Sequence, residues 1–435
     1  MRTRLIAVVC SLCALGLTAD ATVQPCGPVC ADFSPFLETV TVLPRLGGLR
    51  AEATAISEAG HVVGLAATEA EVTHAFLWTR AGGLRELVGG VRPSEAHGVN
   101  DRGEVVGWFE NEYGVQRAFM WSERKGLVEL PAPVASTSTA RFITNAHRIL
   151  GTIDGEDVIW EPDGTARPVA AIVGAPIGDV TMNEFGDFVG QIWPGGYVKW
   201  TPQSGFTPLN IAAYTTGIND AGDVVAVGQL GSDVSVQPFL WTSSGVQPML
   251  SPGLLTGDDF AGPINNVGQV LGWGRTDVPG WLSRGLCCMT FVWSRTTGVV
   301  PLWGSTGEDG QVGANGINDQ ATVVGNILVV DAQGYHFAPV VAQLRTTPLQ
   351  LTGAMRVRIT QAARHDVLAR GHARALVAKL DQIDRALRAG TSAAPHARAL
   401  QKQILAFTRT GALRDAYALP LEILTRKLID TIRSR

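Results

Sequence analysis

One tryptophan position recurs along the chain as part of an internal repeat, and several other tryptophans, Trp281 and Trp303 among them, lie outside it. These other tryptophans are the side chains best suited to binding chemistry. Trp108 and Trp273 each follow a glycine that ends an apolar run, and Trp193 comes three residues after such a glycine. Equivalent places on repeated units would put these rings on one rim, where aromatic faces can contact a sugar or a protein. Packing of the same rings in the core is the alternative.

The most distinctive insertion between two predicted strands runs from Trp273 to Thr290 and contains Trp281, Arg275 and Asp277. Enlarged loops on a rigid scaffold commonly carry function. The candidate ligand-binding residues are therefore Trp108, Trp193, Trp273, Arg275, Asp277 and Trp281.

Catalytic chemistry has weaker support in the sequence. Glycoside hydrolysis needs two carboxyl groups about 5–10 Å apart, and only the sequence neighbours Asp258-Asp259 and Glu308-Asp309 offer such pairs. These acids are interpreted as solvated loop residues. No G-x-S-x-G, H-E-x-x-H or P-loop motif is present. We therefore predict no catalytic residue and no cofactor.

Oxygen side chains recur at Asn100-Asp101, Asn219-Asp220 and Asn318-Asp319, where they could be calcium ligands. Turn chemistry is the preferred interpretation, because no alternating acidic series with a bidentate Glu accompanies them. No metal site is predicted.

Four cysteines remain after the first 21 residues: Cys26, Cys30, Cys287 and Cys288. Export favours disulfides over a four-cysteine zinc site. Pairing within each cluster and pairing between the clusters both remain open.

The N-terminus has the features of a signal peptide. Arg2 and Arg4 precede an apolar run from Leu5 to Leu17, and a small-x-small site predicts cleavage after Ala21. No later segment offers about 18 uninterrupted apolar residues, so no membrane-spanning segment is predicted after cleavage. The expected location is periplasmic or extracellular.

Composition separates the chain into two parts. Of 435 residues, 46% are apolar, 17% are charged and 50 are glycine, which is typical of a turn-rich β protein and excludes wholesale disorder. Residues 346–435 contain 16 Lys and Arg against 6 Asp and Glu, whereas the rest contains 19 against 33. The predicted boundaries are a signal peptide at 1–21, a Cys-containing segment at 22–39, a repeat region at 40–345, a linker at 346–356 and a helical module at 357–435.

An internal repeat dominates residues 40–345. An Ile-Asn-Asp-x-Gly-x-Val-Val-Gly phrase occurs seven times at spacings of 36 to 53 residues, beginning at Ile56, Val99, Ile143, Met182, Ile218, Ile264 and Ile317. The first six copies are followed by a short run ending in Trp. A turn between two β-rich runs gives about four short strands per unit of about 43 residues, which predicts a seven-bladed β-propeller. The strand near Val40 is expected to complete the last blade.

These phrases resemble the HAF-repeat family of bacterial extracellular proteins. His74-Ala-Phe-Leu-Trp78 matches the phrase that names the family, and Val99-Asn-Asp-Arg-Gly-Glu-Val-Val-Gly107 matches its companion phrase. The resemblance implies an exported repeat protein and brings no catalytic residues.

The basic C-terminal segment is predicted to be a small α-helical bundle. Three apolar stripes, beginning at Leu376, Leu400 and Leu421, indicate three amphipathic helices, or four if 357–369 is helical. Pro420 is expected in the first turn of the last helix.

Gly371–Asp381 and Ala399–Phe407 resemble the FIMAH-type module of bacterial secreted proteins, an accessory that implies no reaction. The positive charge could bind anionic glycans, lipid head groups or nucleic acid. Export and the lack of interleaved aromatics argue against nucleic acid. Docking against the acidic repeat region is the preferred interpretation.

The leading functional prediction is a non-catalytic, exported scaffold that binds a ligand or surface, with a glycan or an envelope protein as partner. The alternative is an extracellular hydrolase or lyase with its site on one propeller rim. Binding predicts aromatic residues exposed together on one rim, whereas catalysis predicts convergent acids in a deep axial pocket. A purely architectural protein predicts neither.

Overall fold

The structure, a computed structural model, describes residues 32–33, 37–193, 195–229, 237–249, 260–275, 288–305, 313–331 and 334–434. Seven antiparallel sheets form the blades of a propeller, followed by a C-terminal helical bundle. The predicted fold class is confirmed.

The blades share one plan, a meander that starts at the innermost strand and ends at the outermost. The first two strands of the chain, β1 (Asp32–Phe33) and β2 (Leu37–Val42), instead join the last two blades. Blades 1 to 3 are β3 (Gly47–Ile56), β4 (Val62–Thr68), β5 (Thr73–Thr79) and β6 (Gly83–Glu86); β7 (Ser94–Val99), β8 (Val105–Glu110), β9 (Gln116–Ser122) and β10 (Gly126–Glu129); and β11 (Ser138–Ile143), β12 (Ile149–Ile153), β13 (Glu156–Trp160) and β14 (Ala166–Pro168).

The remaining blades follow the same plan after a short helix, α1 (Val169–Val173). Blades 4 and 5 are β15 (Ile177–Met182), β16 (Phe188–Ile192), β17 (Gly196–Thr201) and β18 (Gly205–Pro208); and β19 (Ala212–Ile218), β20 (Val224–Gln229), β21 (Gln237–Thr242) and β22 (Gly245–Pro248). Blades 6 and 7 are β23 (Phe260–Ile264), β24 (Val270–Arg275), β25 (Cys288–Ser294) and β26 (Gly298–Ser305); and β27 (Ala314–Ile317), β28 (Thr322–Asp331) and β29 (Gly334–Leu344).

Ring closure uses the N-terminal strand, as predicted. Strand β2 pairs with β29, with Val40 opposite Ala342, and is the outer strand of blade 7. The chain then continues directly into β3, the inner strand of blade 1. Blade 7 therefore combines a strand from the start of the repeat region with three strands from its end. This pairing joins the last blade to the first and closes the ring.

The repeated strand glycine has a steric cause. A Cβ built on Gly64, Gly107 or Gly151 would lie 1.8 to 2.0 Å from a carbonyl oxygen of the innermost strand. That strand carries a register shift at the same level, for example between Ala96 and Gly98 in β7. No side chain larger than hydrogen fits under this bulged strand. Aromatic rings of the Phe-x-Trp phrase, such as Phe76 and Phe119, are fully buried between the blades.

The C-terminal bundle has four helices. They are α2 (Pro348–Arg364), α3 (Arg370–Arg388), α4 (Ala394–Arg409) and α5 (Asp415–Arg433). The leucine stripes predicted from the sequence form the core, with Leu376, Leu400 and Leu424 fully buried. Among the described helices, none is both long and apolar enough to span a membrane.

Two sequence predictions about this region are wrong. The segment 346–356 is not a linker, because α2 begins at Pro348 with a capping box between Thr347 and Gln350. Pro420 lies inside α5 rather than in its first turn, since that helix begins at Asp415. The helical region therefore begins about two and a half turns earlier than the predicted module.

Candidate functional site

The two faces of the propeller differ in what they carry. Connections between first and second strands, and between third and fourth strands, lie on one side, which we call the hub face; residues 57–61 and 100–104 are examples. The other connections that the structure describes, residues 87–93, 111–115 and 130–137 among them, lie on the opposite side, which we call the far face; Trp193 also lies there. The C-terminal bundle packs on the hub face, where Phe185 belongs to its apolar core.

The second residue of each repeat turn contributes to a ring around the propeller axis. We call these seven residues the hub ring: Glu58, Asp101, Asn145, Glu184, Asp220, Asn266 and Asp319. Every member is a hydrogen-bond acceptor, and five are acids. All are buried except Glu184, which is partly buried.

Hydrogen bonds join the members of the hub ring from blade to blade. The backbone N–H of each turn donates to the side-chain oxygen of another blade's ring residue at 2.7 to 3.2 Å. The donor–acceptor pairs are Ala59–Asp101, Asp101–Asn145, Asn145–Glu184, Glu184–Asp220, Asp220–Asn266, Asn266–Asp319 and Asp319–Glu58. The ring of seven bonds closes on itself.

The preceding Asn of the turn makes a second set of joints. The Asn318 amide donates to the Ser57 carbonyl at 3.0 Å, and its Oδ1 accepts from Gln320 and Thr322 within its own turn. Asn219 and Asn265 donate in the same way to Asn265 and Asn318. The Asn-Asp phrase is therefore both a turn and an interblade joint. Among the described residues, no group of three or more His, Cys, Asp or Glu has an arrangement that could hold a metal ion.

Arg358 of α2 occupies the centre of the hub ring. Its guanidinium lies 2.8 Å from Asp319 Oδ2, 3.2 Å from Glu58 Oε1 and 3.3 Å from Asp220 Oδ2. Its side chain is only 12% exposed. Three carboxyl groups of the hub ring thus contact one guanidinium, and this residue contributes to the docking of the basic module on the acidic propeller.

The surplus of buried acid changes the protonation of the ring. Burial, with the neighbouring charge of Asp220, raises the pKa of Glu184 to about 8. Burial and the charge of Asp319 raise the pKa of Glu58 well above its usual range, against the opposing effect of Arg358. Burial lowers the pKa of Arg358, but Asp319, Asp220 and Glu58 outweigh that effect and raise it. Near neutral pH the ring therefore retains protons on part of its carboxyl groups.

A stack of aromatic rings completes the contact between the propeller and the bundle. Phe185, the residue after Glu184, lies between His365, at 4.8 Å between ring centroids, and Tyr417, at 5.4 Å. His365 Nε2 also lies 3.5 Å from Asp187 Oδ2. Most copies of the repeat have a small or polar residue at the turn position that Phe185 occupies. This aromatic residue is the one signal in the sequence for the contact between the propeller and the bundle.

A small cavity remains between the ring and α5. Its volume of about 10 Å³ suits a single water molecule. Pro420 has no N–H to donate to the Ala416 carbonyl one turn earlier, so a polar group of the helix faces this region. The lining residues are Asn145, Glu184, Phe185, Arg358, Ala416, Tyr417 and Pro420. This space is too small for an organic substrate.

The tryptophans predicted to bind a ligand lie toward one face but not in one cluster. Trp108 of β8 and Trp273 of β24 are partly buried near the far-face ends of their strands. Trp193 is 63% exposed in the far-face turn after β16. These positions belong to blades 2, 6 and 4, which are not adjacent. The Trp108 indole N–H donates to Glu95 Oε2 at 3.3 Å, while Trp303 is fully buried in blade 6.

Other predicted residues fall outside the described part of the chain. Asp277, Trp281, Cys26, Cys30 and Cys287 lie there, as do the acid pairs at 258–259 and 308–309. Arg275 and Cys288 are described only as strand residues of blade 6, without their side chains. Cysteine pairing and the role of the insertion stay predictions.

The far face also exposes apolar side chains that the sequence analysis missed. Val91, Tyr113 and Val134 are 86%, 80% and 93% exposed, and they lie in the connections before, within and after blade 2. Arg92, next to Val91, donates to the carbonyls of Asn111 and Glu112, so the first two of these connections are in contact. Exposed apolar side chains on one face of a protein are candidates for a binding surface. We call these three residues the blade 2 patch.

No family model and no curated protein matches this sequence. Solved structures of low identity share the fold. TolB from Acinetobacter baumannii is 10% identical, with 45% of this chain and 53% of that chain covered and a TM-score of 0.30. YCF48 bound to D1 peptide is 12% identical, with 71% and 96% covered and a TM-score of 0.38. The WD40 propeller domain of Doa1 is 10% identical, with 70% and 98% covered and a TM-score of 0.39. The chain spans about half of the TolB structure, and these similarities concern the fold alone.

Proposed function

We propose that this protein is an exported, non-catalytic scaffold that binds a surface glycan or an envelope protein through its far face. The signal-peptide pattern at residues 1–21 and the resemblance to HAF repeats support export. The observation that carries the binding proposal is the blade 2 patch, which exposes one aromatic and two aliphatic side chains on the face opposite the bundle.

The hub ring argues against the hydrolase alternative. Convergent acids with shifted pKa values are present there, as a catalytic site would require. However, these acids accept hydrogen bonds from other blades, three of them contact Arg358, and the adjacent cavity has room for one water. A substrate that approached from the hub face would have to displace the C-terminal bundle before it reached them.

The surroundings of the blade 2 patch suit a polar ligand with apolar faces. Trp108 lies in the same blade, and Glu95 connects its indole N–H to His97 at 3.3 Å. Aromatic rings together with hydrogen-bonding groups on one surface recognise sugars as well as protein side chains. Trp193 would extend the contact toward blade 4.

A glycan-array screen of residues 22–435 tests the proposal. Tyr113→Ala combined with Val134→Ser should abolish the binding of the wild-type protein, because both side chains lose their contact area. The matched control is Phe206→Ala with Val246→Ser, two exposed residues on outer strands of blades 4 and 5. An absence of glycan binding by the wild-type protein would exclude a glycan as the partner and favour an envelope protein. Glycan binding that the blade 2 substitutions do not change would contradict a binding site at the blade 2 patch.

A further inference from the structure

Four arginines form a row along α3. Arg370, Arg374, Arg385 and Arg388 are all exposed, and at 100° per residue they fall within an arc of about 60°. From the first to the last, the row is about 27 Å long at 1.5 Å per residue. The buried residues of the same helix, including Leu376 and Leu380, lie on a different side. We call these four residues the α3 arginine row.

None of the four members of this row has an ion pair within the described part of the chain. One acid, Asp381, lies in the same arc between Arg374 and Arg385. Its carboxylate and that of Asp384 both pair with Arg356 of α2, at 2.8 and 2.9 Å. The whole chain has a net charge of −4, so this row is a local feature rather than a result of overall charge.

The contact with the propeller is made by other helices. Arg358 belongs to α2, His365 follows that helix and Tyr417 belongs to α5. The contact with the hub face therefore does not use the α3 arginine row. Uncompensated guanidinium groups in a row repel each other unless anions lie between them. A row that is both unused and uncompensated points to an external anionic partner.

Chemistry distinguishes among the anionic partners. Among the described residues, no large hydrophobic side chain of α3 is exposed, so the row lacks the apolar groups with which interfacial helices enter a bilayer. It also has no exposed aromatic ring on which nucleic-acid bases could stack. Planar guanidinium groups pair with carboxylate and sulfate through two parallel hydrogen bonds.

We propose that the α3 arginine row binds a linear anionic polysaccharide bearing carboxylate or sulfate groups. An extended chain would run along the helix and contact the four guanidinium groups in turn. This binding surface is separate from the blade 2 patch, so a loss at one surface is distinguishable from a loss at the other.

The test measures the retention of the full mature chain on immobilised heparin and on polygalacturonate, with an oligonucleotide and phosphatidylglycerol vesicles as competing probes. The row variant combines Arg370→Ser, Arg374→Ser, Arg385→Ser and Arg388→Ser. It should bind both polysaccharides at least about tenfold more weakly. The matched control replaces Arg80, Arg124, Lys125 and Arg167 with serine, which removes the same charge from exposed positions of the propeller. Binding should fall as salt rises, because it depends on exposed charges.

A second variant keeps the test independent of folding. Lysine at the four row positions preserves charge and helix propensity but loses the planar fork, and should give intermediate binding. Equal losses in the row and control variants would overturn the proposal, as would unchanged binding in the row variant. Tighter binding of the oligonucleotide or the vesicles than of both polysaccharides would also overturn it.

Discussion

At the scale of single residues, Arg358 has the largest consequences. Within the described part of the chain, it is the one cation that forms ion pairs with the carboxyl groups of the hub ring. Removing one partner from a buried ion cluster leaves the others desolvated and unpaired, which costs more than the intact cluster contributes.

Arg358→Met should therefore lower the melting temperature clearly, with a cost of about 3–5 kcal/mol. The control is Arg356→Met on the same helix, whose side chain is 34% exposed and pairs with two acids at the surface of the bundle. Differential scanning calorimetry compares the two variants. Equal shifts would contradict a special role for the hub.

Glu184 predicts a specific pH dependence. Its folded pKa of about 8 lies above the usual 4.5, so the folded state binds more protons than the unfolded state between these values. Its contribution to stability therefore falls as pH rises from about 4.5 to about 8. Glu184→Gln retains the acceptor for the Asn145 N–H and cannot ionise. Its melting temperature should rise relative to wild type across this range, and parallel curves would contradict the assignment.

At the scale of elements, the repeat turn joins the blades as well as reversing the chain. The Asn318 side chain accepts two hydrogen bonds within its turn and donates one to the Ser57 carbonyl of blade 1. The Asn111 side chain accepts the same two bonds within a far-face turn, from the N–H groups of Tyr113 and Val115. Comparing substitutions at these two residues therefore separates the contribution of the interblade hydrogen bond to stability from that of the turn.

Asn318→Ala should destabilise the protein more than Asn111→Ala, by about 0.5–1.5 kcal/mol, because it removes one of the two donors to the buried Ser57 carbonyl, which also accepts from the Gly60 N–H at 3.1 Å. Thermal melting of both variants measures the difference. A loss at Asn111 as large as that at Asn318 would show that the turn, and not the joint between blades 7 and 1, determines the cost.

The strands and turns were predictable from the sequence because the residue patterns of each repeat indicate them directly. The hub was not, since the ion pair between Arg358 and Glu58 joins residues 300 positions apart. The start of α2 was missed because its apolar face is completed by contacts with other helices, and the capping pair Thr347 and Gln350 is a short signal. The blade 2 patch was missed because valine in a turn has no distinctive spacing.

At the scale of the whole molecule, the two faces of the propeller differ in what covers them. The hub face is occupied by α2 and α5, while the far face exposes the blade 2 patch. Closure of the ring by β2 and occupation of the hub by Arg358 both place distant parts of the chain in contact. The central claim is that the bundle is docked at the hub and leaves the far face for binding.

Hydrogen–deuterium exchange of the intact chain tests this claim most directly, because the ring hydrogen bonds protect the hub-turn amides. The account predicts slow exchange for residues 56–61, 317–322 and 355–361 in the wild-type protein. In Arg358→Met, exchange should rise in all three segments and remain unchanged in the far-face residues 111–115. Rapid exchange of the hub turns in the wild-type protein, or an increase confined to residues 355–361 in the variant, would contradict the account.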